Sequence, residues 1–454
     1  MQRLIVNNFG PLRHVEIDVN PFLVLIGEQA SGKSTIAKLI YFFKSLSDEM
    51  FSRYYNSPKL GIDYTNDVIF PIREKFYDVF GSTFHLPDFK IIYHFSEDRS
   101  VELSLNDEKK LYVHLSRNFF NNEDSIEMRS YKTTLINLKE EIEREFNLAK
   151  KVVLQQNQTL YLTKLADKIN SIFCNKQNDS LFILAGRNAT IGYSAAFEKM
   201  LAISLQQSIE EQGKRVYESK EQTIDETLML DFVDRVDKMK QILIKLGNFE
   251  GIMAKTSGKK HKKLSNSYNL IKKVIRGQYT NSVYGERIVV EGGKYVYLRN
   301  ASSGQQESIR ILQDAFLSLY TENQVFRIIE EPEAHLFPEA QMYVVQLLAM
   351  LSNANENNQI IITTHSPYVL AALNNLMFAH SVGNMQQDKA PVDSLIQEDS
   401  WLNPQRVGSY RLSGGFSENI VDENLKMIKA ELIDEVSTVL NQQYDDLLNI
   451  LHNE

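Results

Sequence analysis

The chain has 454 residues, 43% of them hydrophobic and 24% charged, the composition of a globular protein with a sizeable buried core. A net charge of −8 excludes a protein that coats nucleic acid by bulk charge, while leaving room for a local basic patch. The single cysteine, Cys174, excludes an intramolecular disulfide framework and a cysteine metal cluster. Residues 1–7 show no signal-peptide pattern and no apolar run reaches membrane-spanning length, so a cytoplasmic setting is expected.

Short apolar runs at residues 4–6, 15–19 and 22–26 predict three strands, split by Gly10-Pro11 and Asn20-Pro21. A helix should follow over 34–44, with Ile36, Leu39, Ile40 and Phe43 at helical spacing. Between Asp88 and Phe119 the period changes to two: Phe89, Ile91, Tyr93 and Phe95, then Val101, Leu103 and Leu105, then Leu111, Val113 and Leu115. That is an antiparallel meander with one wet face. Residues 131–173 are charged and helical, striped by Leu135, Leu138, Ile142, Phe146 and Ala149. Residues 181–185 return as a buried strand ending at Gly186-Arg187-Asn188. A second helical insertion is expected over 194–275, then a hairpin, 286–290 with 294–298, turned at Gly292-Gly293.

The chemistry-bearing stretches begin with Gly27-Glu28-Gln29-Ala30-Ser31-Gly32-Lys33-Ser34-Thr35, placed after a buried strand and before a helix. The glycines let backbone N–H groups fold around phosphate oxygens, and the helix N-terminus adds its positive end. Lys33 is expected at the β- and γ-phosphates of ATP, and Ser34 on Mg²⁺. Further on, Ala301-Ser302-Ser303-Gly304-Gln305 precedes an amphipathic helix marked by Ile309, Leu312, Phe316 and Leu319. Alone, such a stretch is usually a helix cap.

About twenty residues later the apolar strand Val325-Phe326-Arg327-Ile328-Ile329 ends in Glu330-Glu331, two carboxylates that need a cation or a polarised water. Glu330 fits the holder of Mg²⁺ and Glu331 the general base that deprotonates the attacking water. Adjacent strand residues point to opposite faces, so one of the pair is open to a structural role. A further buried strand, Ile360-Ile361-Ile362-Thr363-Thr364, ends at His365, placed to bond a γ-phosphate.

In this order, the phosphate loop, Ser-Ser-Gly-Gln, Ile-Ile-Glu-Glu-Pro-Glu-Ala-His-Leu and Thr-Thr-His-Ser-Pro resemble an ABC-type ATPase head. The branch resembled is the OLD/RecF/SMC-like group, although Phe337 replaces that branch's usual histidine and Glu330 the commonest aspartate. Arg187 is similar to an arginine that follows the returning strand in these heads. The resemblance implies an α/β fold: a mixed and parallel sheet with the phosphate loop, an antiparallel β meander, and helical insertions. It implies ATP and Mg²⁺, and a homodimer or higher homo-oligomer in which Ser302, Ser303, Gly304 and Gln305 complete the site of a second copy. Ala334 and His335 would cross that interface.

Leu412-Ser413-Gly414-Gly415 spells the commonest ABC signature more literally, but it follows the carboxylates and reads as a turn before a helix. The expected domains are 1–130, an ATPase lobe with the meander; 131–175, a helical insertion; 176–193, a return strand; 194–285, a helical arm with a basic segment; 286–385, the signature, carboxylates and histidine; and 386–454, a C-terminal helical extension. Within that extension, helices are expected over 422–440, striped by Leu425, Ile428, Leu432, Val436 and Val439, and over 442–451. A last strand is expected at 381–383. Lys259, Lys260, Lys262 and Lys263, on the arm, are candidates for DNA phosphate contact, the alternative being a solvated loop.

The chain after Leu376 is too short for the metal-binding nuclease domain that OLD-type proteins append, which implies a separate effector protein. Resemblance to stand-alone ATPase subunits of anti-phage systems makes defence the expected role. A RecF- or SMC-like DNA-repair ATPase is the alternative. A transporter ATPase fits less, because its compact head has short insertions.

Overall fold

The computed structural model describes residues 2–192, 224–422, 424–429 and 442–443. Arg3–Phe9 (β1) and Leu12–Asp18 (β2) pair as a hairpin, and Phe22–Gly27 (β3) leads into Lys33–Lys44 (α1). Leu46–Asn56 (α2) and Phe70–Phe80 (α3) follow. Lys90–His94 (β4), Ser100–Leu105 (β5) and Leu111–Leu115 (β6) make the meander. Its predicted inward set, Phe89, Ile91, Tyr93 and Phe95, is buried. Asn122–Arg144 (α4) and Leu148–Ile172 (α5) pack side by side, and Asp179–Ile183 (β7) and Ala189–Gly192 (α6) end the first half.

The second half holds Ile224–Leu246 (α7), Asn248–Ala254 (α8) and Gly258–Ile275 (α9). Gln278–Ser282 (β8), Gly285–Val289 (β9) and Tyr295–Tyr297 (β10) form a separate small sheet. Then come Ser303–Thr321 (α10), Val325–Glu330 (β11), Pro338–Asn353 (α11), Gln359–Thr364 (β12) and Pro367–Met385 (α12). Val407–Ser413 (β13) and Phe416–Asn419 (β14) follow.

Among the described residues the main sheet has eleven strands, ordered β6-β5-β4-β1-β2-β14-β13-β3-β12-β11-β7. Strands β13, β3, β12, β11 and β7 are parallel, and the meander side is antiparallel. This is the expected mixed α/β architecture. Alternation in the central strands feeds two cores. Val24, Ile329 and Ile362 join the core shared with α9 to α12, while Leu25, Ile328 and Ile361 join the core under α1 and α2. Burial on both faces explains why β11 and β12 read as unbroken apolar runs.

The structure revises several expectations. The 131–175 insertion is two helices, broken at 145–147 where Phe146 is 96% exposed; the stripe is buried only near its root, at Leu135 and Leu138. Residues 381–383 are the last turn of α12, whose Leu370, Leu373, Leu376 and Met377 stay buried at helical spacing. There Gly383 lies under Trp401, so close that a Cβ would come within 2.2 Å of the ring.

The stretch 386–454 is not simply a helical extension, since it supplies β13 and β14 to the main sheet. Leu412–Gly415 is a turn, but between two strands rather than before a helix. Asp422 starts no helix; its carboxylate accepts from the N–H groups of Asn424 and Leu425, both at 2.8 Å, in a short hairpin. Leu432, Val436, Val439, most of 442–451 and the start of the insertion at Ser194 lie outside the described residues.

The basic segment is not the end of a projecting arm. It forms α9, which packs on α10 and α11 through buried Leu264, Tyr268, Ile271, Val274 and Ile275. Lys259 and Lys262 face solvent, whereas Lys260 pairs with Glu322 at 3.6 Å and lies 5.1 Å over the Tyr320 ring.

Candidate active site

The β3 strand delivers the phosphate loop at the C-terminal end of the parallel sheet, where open α/β folds bind ligands. Gly32 holds φ at 97°, a conformation that disfavours side chains, and starts α1 without any side-chain cap. The first N–H groups of α1 therefore remain free for an anion. Gly27 lies against the β13–β14 turn, and a Cβ there would come within 2.3 Å of the Leu412 carbonyl oxygen. Thr35 is half-buried in the first turn of α1 and Ser34 is exposed beside it.

Lys33 is buried, its Nζ donating to the carbonyls of Gly27 at 2.9 Å and Glu28 at 2.8 Å. Burial lowers its pKa, while Glu331, Glu333 and Glu330, in that order, draw it back up. The lysine thus lies in the field of three carboxylates from the end of β11.

Glu330 stays on the α1 side of the sheet with Phe326 and Ile328. Its Oε2 accepts from the Ala185 N–H at 3.2 Å, and its Oε1 is buried with no hydrogen-bond partner among the described residues. Strand alternation alone would send Glu331 to the opposite face. Instead Glu331 takes φ of 43°, leaves the strand, and brings Oε1 to 3.3 Å from His365 Nε2. A glutamate rarely adopts that backbone, and two bonds hold it there: its N–H donates to the Thr363 carbonyl at 2.9 Å, and its carbonyl accepts from Arg187 Nη2, also at 2.9 Å.

His365 joins the two halves of the site, with Nδ1 at 3.5 Å from Lys33 Nζ and Nε2 facing Glu331. An ammonium has no acceptor, so Nδ1 is the acceptor and Nε2 carries the hydrogen that Glu331 receives.

Two residues outside the candidate set belong here. Glu333 is buried, and its Oε1 accepts from Thr364 Oγ1 at 2.6 Å and from the His365 N–H at 2.9 Å, fixing the histidine's backbone to the carboxylate turn. Arg187 is fully buried and donates to the carbonyls of Leu184 at 3.1 Å, Glu307 at 2.8 Å and Glu330 at 2.8 Å, besides that of Glu331. It ties α10 to the backbone of both glutamates. The second glutamate of Glu-Pro-Glu and an arginine after a buried strand were the available signals.

The signature residues are elsewhere. Ser302 caps α10 in a reciprocal box with Gln305, and Gln305 Nε2 donates to the Ile275 carbonyl at 2.7 Å. With Gly304, His335, Phe337 and Arg276 they line a cleft of about 400 Å³ that includes no phosphate-loop residue. Ser303 is exposed at the first position of α10, and Ala334 lies in the turn between β11 and α11. Lys259, Lys260, Lys262 and Lys263 occupy the N-terminal half of α9, away from both groups.

Three orphaned buried atoms, Ser31 Oγ, Glu330 Oε1 and Glu333 Oε2, gather at the phosphate loop and the ends of β11 and β12. They match a site built for a polar ligand. Among the described residues no cluster of three or more His, Cys, Asp or Glu side chains could cage a metal. Mg²⁺ on a nucleotide needs no such cage, since phosphates and waters fill most of its octahedron; Ser34 and Glu330 fit the remaining positions.

A phosphate loop facing strand-end carboxylates and a histidine defines a P-loop nucleoside triphosphatase head. The chain belongs to the AAA ATPase domain family, whose model matches residues 1–370, and it is an ATP hydrolase. An OLD nuclease from Thermus scotoductus (strain ATCC 700910 / SA-01) is 34% identical over 89 residues, or 20% of this chain. The match spans 16% of that relative's length. A solved structure of the recombination mediator protein RecF of the RecFOR pathway aligns over 92% of this chain and 97% of its own, at 12% identity and a TM-score of 0.27. Among the described residues no helix is long and apolar enough to cross a membrane.

Proposed function

We propose that two copies of this chain close on ATP and Mg²⁺, open on hydrolysis, and pass that state to a separate effector protein. The observation that carries the reading is His365, which bridges the phosphate-loop Lys33 and the carboxylate Glu331. Lys33 meets the β- and γ-phosphates, and Ser34 and Glu330 hold the metal, which neutralises phosphate charge. Glu331 takes the proton of the attacking water, held in place by the Nε2 hydrogen of His365. Glu333 and Arg187 fix the backbone of both groups.

The separate cleft lined by Ser302, Gly304 and Gln305, with Ser303 exposed beside it, supports completion by a second copy, because no residue of its own phosphate loop lines it. Ala334 and His335 would then lie at the junction. A closed two-fold dimer is the smallest assembly that supplies both halves twice. The motif resemblance to ATPase subunits of anti-phage systems supports defence as the setting, and the short OLD nuclease match supports an effector acting on nucleic acid.

Sedimentation equilibrium with a non-hydrolysable ATP analogue tests the assembly. The chain should dimerise with nucleotide, and Ser303→Arg, which leaves the Ser302 cap intact, should bind nucleotide yet stay monomeric. A chain that stays monomeric with nucleotide, or a Ser303→Arg monomer that hydrolyses ATP at the unmodified rate, would overturn it.

A further inference from the structure

The outer face of the β8–β10 sheet carries a cluster that neither the core nor the ATPase site uses. Arg287 pairs across strands with Tyr297, and Val289 with Tyr295, so these side chains share one face. Ile288 and Tyr279 are buried on the other. The Arg287 guanidinium lies 4.5 Å from the Tyr295 ring centre, 5.1 Å from Tyr297 and 5.5 Å from Tyr284. Arg299 lies 5.3 Å from the Tyr297 ring centre as well.

Two observations single this face out. Tyr284 is 74% exposed and Tyr295 51%, so much of each ring meets solvent even with Arg287 against it. Arg287 Nε is buried without a hydrogen-bond partner among the described residues. The hairpin's two carboxylates are Glu291 and Glu286, and Glu286 is already paired with the buried Arg310.

We infer that this face binds single-stranded nucleic acid, with bases stacking on Tyr284 and Tyr295 and phosphates meeting Arg287, Lys294 and Arg299. Exposed aromatic rings interleaved with cations on a small antiparallel sheet suit a strand whose bases are splayed out. A duplex keeps its bases stacked and offers only phosphates, leaving the tyrosines unused. A protein partner would have to bury three cations against its own carboxylates.

The test is fluorescence anisotropy of a labelled oligothymidylate with the full chain and no nucleotide, so that it does not depend on the ATPase reading. Binding should weaken as salt rises. Tyr284→Ala combined with Tyr295→Ala should weaken it about tenfold or more, since each base–ring stack contributes roughly 1–3 kcal/mol. Arg287→Gln should flatten the salt dependence, and alanine at Lys259, Lys260, Lys262 and Lys263 should leave affinity unchanged. The altered tyrosines and lysines are at the surface, and unchanged melting checks each fold. The inference is overturned by no binding at low salt, by equal affinity of the tyrosine variant, by loss in the four-lysine variant alone, or by a tyrosine variant that loses self-association while still binding the oligonucleotide.

Discussion

Replacing Glu331 with glutamine separates the chemistry of the site from its architecture. The side chain is 39% exposed and makes one charged contact, 3.3 Å to His365, so its loss should cost the fold less than about 1 kcal/mol. The left-handed backbone is held by main-chain bonds to Thr363 and Arg187, which glutamine leaves intact. What disappears is the basic oxygen. A positioned general base contributes roughly 10²–10⁴ in rate, or about 3–5 kcal/mol of barrier. Single-turnover phosphate release should fall by that factor, while fluorescent-nucleotide affinity and melting temperature stay near those of the unmodified chain. The nucleotide-bound dimer should also persist instead of dissociating. Phosphate release within about tenfold of the unmodified chain would show that Glu331 is not the base.

Other perturbations discriminate the remaining roles. Lys33→Ala should abolish nucleotide binding in the same fluorescence titration while leaving the fold intact; retained affinity would remove Lys33 from the phosphates. Arg187→Ala strands the buried Glu307 carboxylate and four carbonyls, and should lower unfolding free energy by about 3–5 kcal/mol in a denaturant titration.

Lys44 offers a pH signature. Burial pushes its ammonium down to about 7, with Gln2 and Gln177 side chains as its acceptors among the described residues. Between pH 7 and its unfolded value of 10.5, the unfolded chain binds the extra proton, so stability rises with pH across that window. The slope attributable to Lys44 is about 1 kcal/mol per pH unit, and Lys44→Met should erase it in stability curves measured at several pH values.

Much of the site was legible because its chemistry is local in sequence. Gly27 to Thr35 and the Glu330-Glu331 end of β11 carry their own strand and helix context, and apolar periodicity placed them correctly. The left-handed turn at Glu331 was not legible, since glutamate has no preference for it and the bonds that impose it come from Thr363 and Arg187, distant in sequence. Glu333 was hidden for the same reason, as nothing local reveals that its partners are Thr364 and His365.

Strands β13 and β14 were missed because Gly408-Ser409-Tyr410-Arg411 mixes polar and apolar residues and the Gly414-Gly415 pair suits any turn. Their strand state is imposed by pairing with β3. Residues 381–383 erred the other way: a short Val-Gly run looked like a strand end, but the helix continued because Trp401 covers it.

The position of β13 bears on how the polypeptide is born. Strands β2 and β3 are neighbours in sequence but not in the sheet, for β14 and β13 stand between them. The meander lobe and the parallel lobe therefore share no continuous ladder until residues 407–419 have left the ribosome. The meander strands, complete at residue 115, and the parallel strands, complete at residue 364, each keep a bare strand edge until then. Such edges invite mispairing with other chains. Strand β13 also places Leu412 against Gly27, so the base of the phosphate loop is finished by a segment distant in sequence. The floor of the phosphate loop is in this way built from two segments that lie almost four hundred residues apart in the chain.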